Sequence, residues 1–384
     1  MGKLKRSTKK SDLRWGFTTG ACAAAAARAA VRMLITQKPF TDIEITLPNK
    51  DSARFVLERL EGTGPVLAGV IKDAGDDPDC THGLEIQCSA QWSNENGIKL
   101  IGGKGVAQVT LPGLELEVGE PAINPVPRAN ITAMVLLELA QIEPQYRIGK
   151  GVELTFIVPK GEEAAKETTS ERLGLIGGIS ILGTRGTVKP YSTSAYAASV
   201  TQSCQIASAN GVDHVVLSTG TRSEKAGMVL LPELNELAFI QAGDFMGIGL
   251  RAAKRYQIQK ATMVVMIGKM GKLVSGRMMT HVSGHAVRFD FLSQLAKEEG
   301  LTEKVYADIA SANTGRHVLQ LIQKENSKQK FLNRLCEETF NQAHHYVKQA
   351  LDIEVLLIDF NGALLASFPV KEEKIMQNID QKAN

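Results

Sequence analysis

Five side chains able to bind a proton or a cation crowd into one short run, in which Asp73, Asp76, Asp77 and Asp79 precede His82. That density can supply a general base or ligate a metal. The run is not an EF-hand loop, because Pro78 stands where that loop needs glycine and no glutamate closes it. An aspartate-rich turn that caps its own amides stays open as the alternative. A second candidate is Gly16-Phe17-Thr18-Thr19-Gly20-Ala21-Cys22, which leads into Ala23 to Ala27. It reads as a polar turn feeding the N-terminus of a thin helix, with Thr18 and Thr19 as caps and Gly20 relieving backbone crowding. Such a terminus suits an anion, or is simply a well-capped helix end. The glycine run over residues 174–186 is neither GxGxxG nor GxxxxGK[ST], so it offers close backbone approach to a ligand or tight turns around a strand. His281 and His285 have ligand spacing for a helix, but no glutamate accompanies them and Gly284 weakens the helix, so no metal is assigned.

The elements that must position these groups follow from composition and periodicity. With 384 residues, 43% hydrophobic and 22% charged, the chain exceeds one core and predicts two domains. Its 44 basic and 41 acidic side chains give a formal charge of +3, too small for a nucleic-acid partner. Arg28 and Arg32 interrupt the apolar run over residues 21–35, which excludes a signal peptide or a membrane span there. Five scattered cysteines without a CxxC pair fit a reduced cytoplasmic protein.

In the first half, residues 43–47, 84–88 and 152–158 read as strands, and residues 131–142 as a helix buried along one face. Pro121, Pro125 and Pro127 predict an ordered loop ahead of that helix. Beyond residue 160, strands at 175–176, 215–218 and 261–267 each end in glycine and run into a helical segment. Alternating βα units imply a parallel sheet whose ligands gather beyond the carboxyl ends of its strands. The expected division is a basic tail over 1–12, an α+β domain over 13–175, an α/β domain over 176–370 and a charged tail over 371–384.

Four strings carry a resemblance. The Gly16 to Cys22 run, then Asp73-Ala74-Gly75-Asp76-Asp77-Pro78-Asp79-Cys80-Thr81-His82-Gly83, Gly119-Glu120-Pro121-Ala122-Ile123-Asn124-Pro125-Val126-Pro127-Arg128 and Gly177-Gly178-Ile179-Ser180-Ile181-Leu182-Gly183-Thr184 resemble, in order, the blocks of the cobalt-precorrin-5B C(1)-methyltransferases, the CbiD family. The likeness spans residues 13–368. It implies methylation of ring carbon 1 of cobalt-precorrin-5B to cobalt-precorrin-6A in cobalamin biosynthesis, with S-adenosyl-L-methionine as donor and a carboxylate-rimmed tetrapyrrole as substrate. It also implies an N-terminal α+β domain of left-handed βαβ type and a C-terminal Rossmann-like domain.

Methyl transfer is an in-line displacement that needs alignment and a base at most, so Asp73, Asp77 and His82 become the catalytic candidates. Thr18, Thr19, Gly20, Asn124 and Arg128 suit the anionic rim, and Gly177, Gly178, Gly183, Thr219 and Gly220 the donor. The chain departs from the family's commonest pattern at Ser218 to Glu224 and at Gly268-Lys269-Met270-Gly271-Lys272. A small-molecule phosphotransferase and a non-catalytic tetrapyrrole carrier are the rival readings, and a homo-oligomer is left open.

Overall fold

The computed structural model describes residues 13–142, 151–280 and 287–370. Its chain divides into two compact units that part between Thr193 and Ser194. Among the described residues no helix is long and apolar enough to cross a membrane.

The first unit opens with β1 (Gly16–Phe17), α1 (Thr19–Thr36), the hairpin of β2 (Asp42–Thr46) and β3 (Ser52–Val56), and then β4 (Arg59–Glu61). Next come β5 (Val66–Ile71), β6 (Glu85–Ser93), β7 (Ile98–Gly102), β8 (Gly105–Val106), β9 (Gln108–Val109) and α2 (Pro125–Leu139). It closes with β10 (Gly151–Ile157), α3 (Gly161–Ala165), β11 (Leu175–Ile176), β12 (Gly178–Ile179) and β13 (Thr187–Val188). The main sheet has the order β4-β5-β6-β10-β7, antiparallel except for the parallel pair β10 and β7.

Helix α1 lies on β5 and β6 and against α2, with Ala21 to Ala27, Ala29 and Ala30 all buried. Alanine side chains keep the helix thin enough to be enclosed on nearly every side and cost no rotamer entropy on burial. The exception is a charged stripe. Arg28 Nε and Arg32 Nη2 each donate to Glu138 Oε1 of α2 at 2.7 Å, and Glu138 is only 1% exposed.

Two expectations are corrected. Pro125 and Pro127 do not lie in a loop but open α2, with Asn124 as its N-cap residue. At those positions the missing N–H groups would have had no helical partner in any case. Residues 176–193 belong to the first unit and not the second, because β11 pairs with β9, β12 with β8 and β13 with β1. The strand at 175–176 is therefore no member of the parallel sheet.

The second unit starts with α4 (Thr193–Ala209), which spans the parting, and alternates through β14 (His214–Ser218), α5 (Thr221–Leu230), β15 (Phe239–Gln241), α6 (Met246–Arg255) and β16 (Lys260–Met266). After β16 come α7 (Ile267–Leu273), α8 (Phe289–Glu298), α9 (Glu303–Ala310), α10 (Gly315–Leu321) and α11 (Lys328–Tyr346), then β17 (Asp352–Ile358) and β18 (Leu364–Phe368). The sheet order is β15-β14-β16-β17-β18, parallel apart from β18. Val215, Leu217, Met263 and Val355 face one core, while Val216, Val264 and Leu356 face another. Burial on both faces explains why these strands read as continuous apolar runs.

Candidate functional site

In the acidic run most carboxylates are spent on neighbours. Asp73 takes both guanidinium nitrogens of Arg14, one at 2.9 Å, and the Gly75 N–H at 2.9 Å. The Arg14 hydrogen bonds, with that amide, hold its pKa down to about 2. Asp76 Oδ2 accepts from the Arg14 backbone N–H at 2.7 Å. Asp79 accepts from Lys72 Nζ at 2.7 Å and from Thr81 N and Oγ1 at 2.8 and 2.6 Å. Burial pushes the Asp79 pKa up, but Lys72 and Thr81 outweigh it and the net shift is downward. Lys72 is 1% exposed, so this ion pair anchors the run from beneath. The amide-capping reading thus describes Asp73, Asp76 and Asp79 well, and Asp73 is an ion-pair partner, too acidic to collect a proton near neutrality.

Asp77 and His82 differ. Asp77 Oδ1 accepts from Tyr191 N at 2.8 Å, and its other oxygen accepts no hydrogen bond among the described residues. His82 is exposed, and its Nδ1 accepts from Ala74 N at 3.0 Å. A neutral ring held that way carries its proton on Nε2 and presents a donor outward, not a basic lone pair. That geometry suits His82 to hydrogen-bond donation toward a ligand.

Beside this run lie groups the sequence reading passed over. Trp15 bridges to Gly75, is 48% exposed and has Lys189 Nζ at 5.8 Å from its ring centroid. Tyr191 is 58% exposed with φ at 54°, a left-handed conformation uncommon for a bulky residue. Arg14 and Trp15 directly precede the first motif, but nothing in their spacing announces their partners.

The N-terminus of α1 is closed by the protein itself. Thr18 Oγ1 accepts from Ala21 N at 3.1 Å, and Gly20 N donates to Leu182 O at 2.9 Å. Thr19 Oγ1 accepts from Leu182 N at 2.9 Å, with Ser180 O and Leu182 O at 3.1 and 3.3 Å as acceptors for its proton. A Cβ on Gly20 would lie 2.7 Å from Pro127 Cγ. Thr18, Thr19 and Gly20 therefore hold the loop over residues 180–186, as a capped helix end does. Thr19→Val strands the Leu182 N–H and should cost about 1–3 kcal/mol in urea unfolding. Ligand affinity should be unchanged, which titration of the folded variant checks.

The glycines of the later run divide in the same way. Gly178 abuts the Gly105 backbone, and a Cβ on Gly183 would lie 2.5 Å from Thr18, so packing alone requires both. Gly177 is exposed at φ 88°, with open space where a Cβ would be. At the start of α2, the Asn124 side chain makes no capping bond, and Arg128 Nη2 is buried without a hydrogen-bond partner among the described residues. The carboxylate facing that nitrogen, Glu120 Oε1, stands at 3.6 Å, beyond hydrogen-bond reach.

In the second unit the loops after β14 and β16 are neighbours, as Ser218 pairs with Val264. Lys269 Nζ spans the two, donating to Thr219 O at 2.8 Å and pairing with Asp244 Oδ1 at 3.0 Å. The Thr219 hydroxyl is buried against Ser223 Oγ at 3.1 Å. Gly220, at φ 154°, and Gly268 both face open space where a Cβ would stand. Thr219 and Gly220 thus lie in one unit and Gly177, Gly178 and Gly183 in the other. Residues 281 and 285, the spaced histidines, fall outside the described residues.

Comparison with known proteins bears on both units. The family model described as CbiD matches residues 6–190, and the model described as CbiD, C-terminal domain, matches residues 279–368. The chain is 48% identical to the cobalt-precorrin-5B C(1)-methyltransferase of Leptospira interrogans serogroup Icterohaemorrhagiae serovar copenhageni, over 92% of its own length and 95% of that protein. Proteins of the same name from Geobacillus sp. (strain WCH70) and Priestia megaterium are 47% and 44% identical, covering 93% and 95% of this chain and 96% and 98% of theirs. A solved structure described as cobalamin biosynthesis protein (cbiD) from Archaeoglobus fulgidus is 25% identical with a TM-score of 0.38, covering 75% of this chain and 85% of that one.

Proposed function

This chain belongs to the CbiD family, and from that premise we propose that it is a methyltransferase that methylates ring carbon 1 of cobalt-precorrin-5B, giving cobalt-precorrin-6A in cobalamin biosynthesis. The observation that carries the reading is identity of 44–48% maintained over more than nine-tenths of the chain to proteins of that name.

The donor we assign is S-adenosyl-L-methionine, whose sulfonium supplies an electrophilic methyl group. The residues that fit it are Thr219, Gly220 and Gly268, at the carboxyl ends of β14 and β16. Both glycines leave room for a ligand against bare backbone, and the parallel order β15-β14-β16, which reverses between β14 and β16, supports a ligand there, as open parallel sheets take ligands where the strand order reverses. In the first unit the parallel strands β7 and β10, with α2 in their connection, fit the βαβ type implied by the family resemblance.

The chain's own residues then divide the work on the acceptor. Asp77 accepts a proton from the macrocycle. His82 donates from Nε2 to a rim carboxylate. Arg128 offers another carboxylate its Nη2, which Glu120 approaches only to 3.6 Å, beside Asn124.

Calorimetric titration tests the reading. Saturable binding of S-adenosylmethionine, strengthened by a cobalt-precorrin-type tetrapyrrole and followed by methylated product, supports it. Tetrapyrrole binding with no response to the sulfonium would mean a carrier, and binding of ATP alone a phosphotransferase. Arg128→Ala should weaken tetrapyrrole binding by about 10- to 100-fold, the worth of a hydrogen bond to a charged group, and leave the donor's affinity unchanged.

A further inference from the structure

We infer that Asp244 is the acceptor for the ribose diol of an adenosyl ligand in the second unit, a role that rests on the donor placement above and adds to it a residue and a chemical contact. The chain leaves β14 toward β15 on one side and returns to β16 on the other. That reversal opens a crevice beyond the carboxyl ends of β14 and β16, where adjoining loops run to opposite faces of the sheet.

Asp244 follows β15 by three residues, and among the described residues its neighbours fasten it to the rim of this crevice. The neighbouring Gly243 N donates to Ser218 O at the end of β14, at 3.0 Å. Lys269, from the loop after β16, pairs with Asp244 Oδ1 at 3.0 Å. Thr280 donates to the same oxygen through Oγ1 at 2.8 Å, and its N–H bonds to Asp244 O at 3.0 Å. The carboxylate is thus held in one orientation yet keeps 27% of its side-chain surface exposed.

The chemistry follows from that placement. A ligand whose reactive end lies over the bare backbone of Gly220 extends its sugar toward the end of the next strand. Two adjacent hydroxyls there need an ionised, oriented acceptor, and a carboxylate takes both protons. Asp244 comes 24 residues after Gly220, close to the interval of about 20 at which an acidic residue meets a ribose in βαβ nucleotide sites. The glycine turn here lacks the usual GxGxxG string, so the likeness is one of geometry alone. Lys269, bonded to both Thr219 O and Asp244, is a positioning residue for the pair.

Calorimetry with S-adenosylhomocysteine and its 2′-deoxy analogue tests this on the full chain. The parent should bind the ribose form at least about 10-fold more tightly, the effect of one lost hydrogen bond to a charged group. Asp244→Asn should bind both forms alike, at the parent's affinity for the deoxy form. A parent that does not discriminate, or an Asp244→Asn variant that still does, overturns the role of Asp244 and leaves the donor reading standing. A parent that binds neither form overturns the donor reading, and this inference with it. Should Asp244→Asn fail to fold, Asp244→Glu replaces it, and the parent's own discrimination remains decisive.

Discussion

Glu138→Ala should destabilise the first unit by about 3–5 kcal/mol, the cost of breaking a buried ion pair by removing one partner. Glu138 is 1% exposed and receives both Arg28 and Arg32 from α1. Truncation leaves two guanidinium groups without their counter-charge and a void where α1 meets α2. Arg28 keeps a second acceptor in Glu44 O, and Arg32 is about one-third exposed, which places the expectation toward the lower end.

Burial alone would raise the Glu138 pKa, but hydrogen bonds from Arg32 and Arg28 outweigh it and the net shift is downward. The folded state therefore favours the ionised carboxylate. Its contribution is fully present above the unfolded glutamate value of about 4.3 and is lost as pH falls through the folded value. Urea unfolding of the parent at pH 7 and below pH 4 should show that loss. Glu138→Gln, which keeps the shape without the charge, should be weaker at pH 7 and show less of the acid-dependent fall. Equal stability of parent and Glu138→Ala at pH 7 would mean that the two helices are held by alanine packing alone.

Asp77→Asn should slow single-turnover methyl transfer by about 100-fold or more, the usual worth of a general base. Asparagine retains an oxygen for the Tyr191 N–H, so the fold and the placement of Tyr191 should survive. Tetrapyrrole and donor affinities should change little, since the group acts on the proton and not on binding. A rate within a few-fold of the parent would make the whole acidic run a structural clasp, in line with the partners already found for Asp73, Asp76 and Asp79.

How much of this was readable beforehand depended on the reach of each interaction. The thin helix declared itself through Ala23 to Ala27, and the parallel strands through their apolar runs, because both signals are local. The meeting of Thr219-Gly220 with Gly268-Lys269 followed from strand adjacency. The start of α2 was misplaced because proline is a helix breaker everywhere except in the first turn. The boundary was set too early because β12 and β13 are two residues long, and their partners lie far back in the chain. The same distance hid the partners of the acidic run, since Arg14 precedes Asp73 by 59 residues and Tyr191 follows Asp77 by 114. Asp244 gave no signal at all, as a lone aspartate after a short strand looks like any turn.

The loop that covers the start of α1 also sets a clock. Thr19 finds its backbone partners 161 and 163 residues later, at Ser180 and Leu182. At a synthesis rate of about 5–20 residues per second, that interval lasts on the order of ten seconds. Through it the nascent α1 has no cover for its first turn, and β1 has no strand to pair with. Closures of such long sequence separation are slow to find even once the chain is complete. Helix α1, made long before its cover, is thus among the last elements of its unit to settle, and a chaperone has that whole interval in which to meet it.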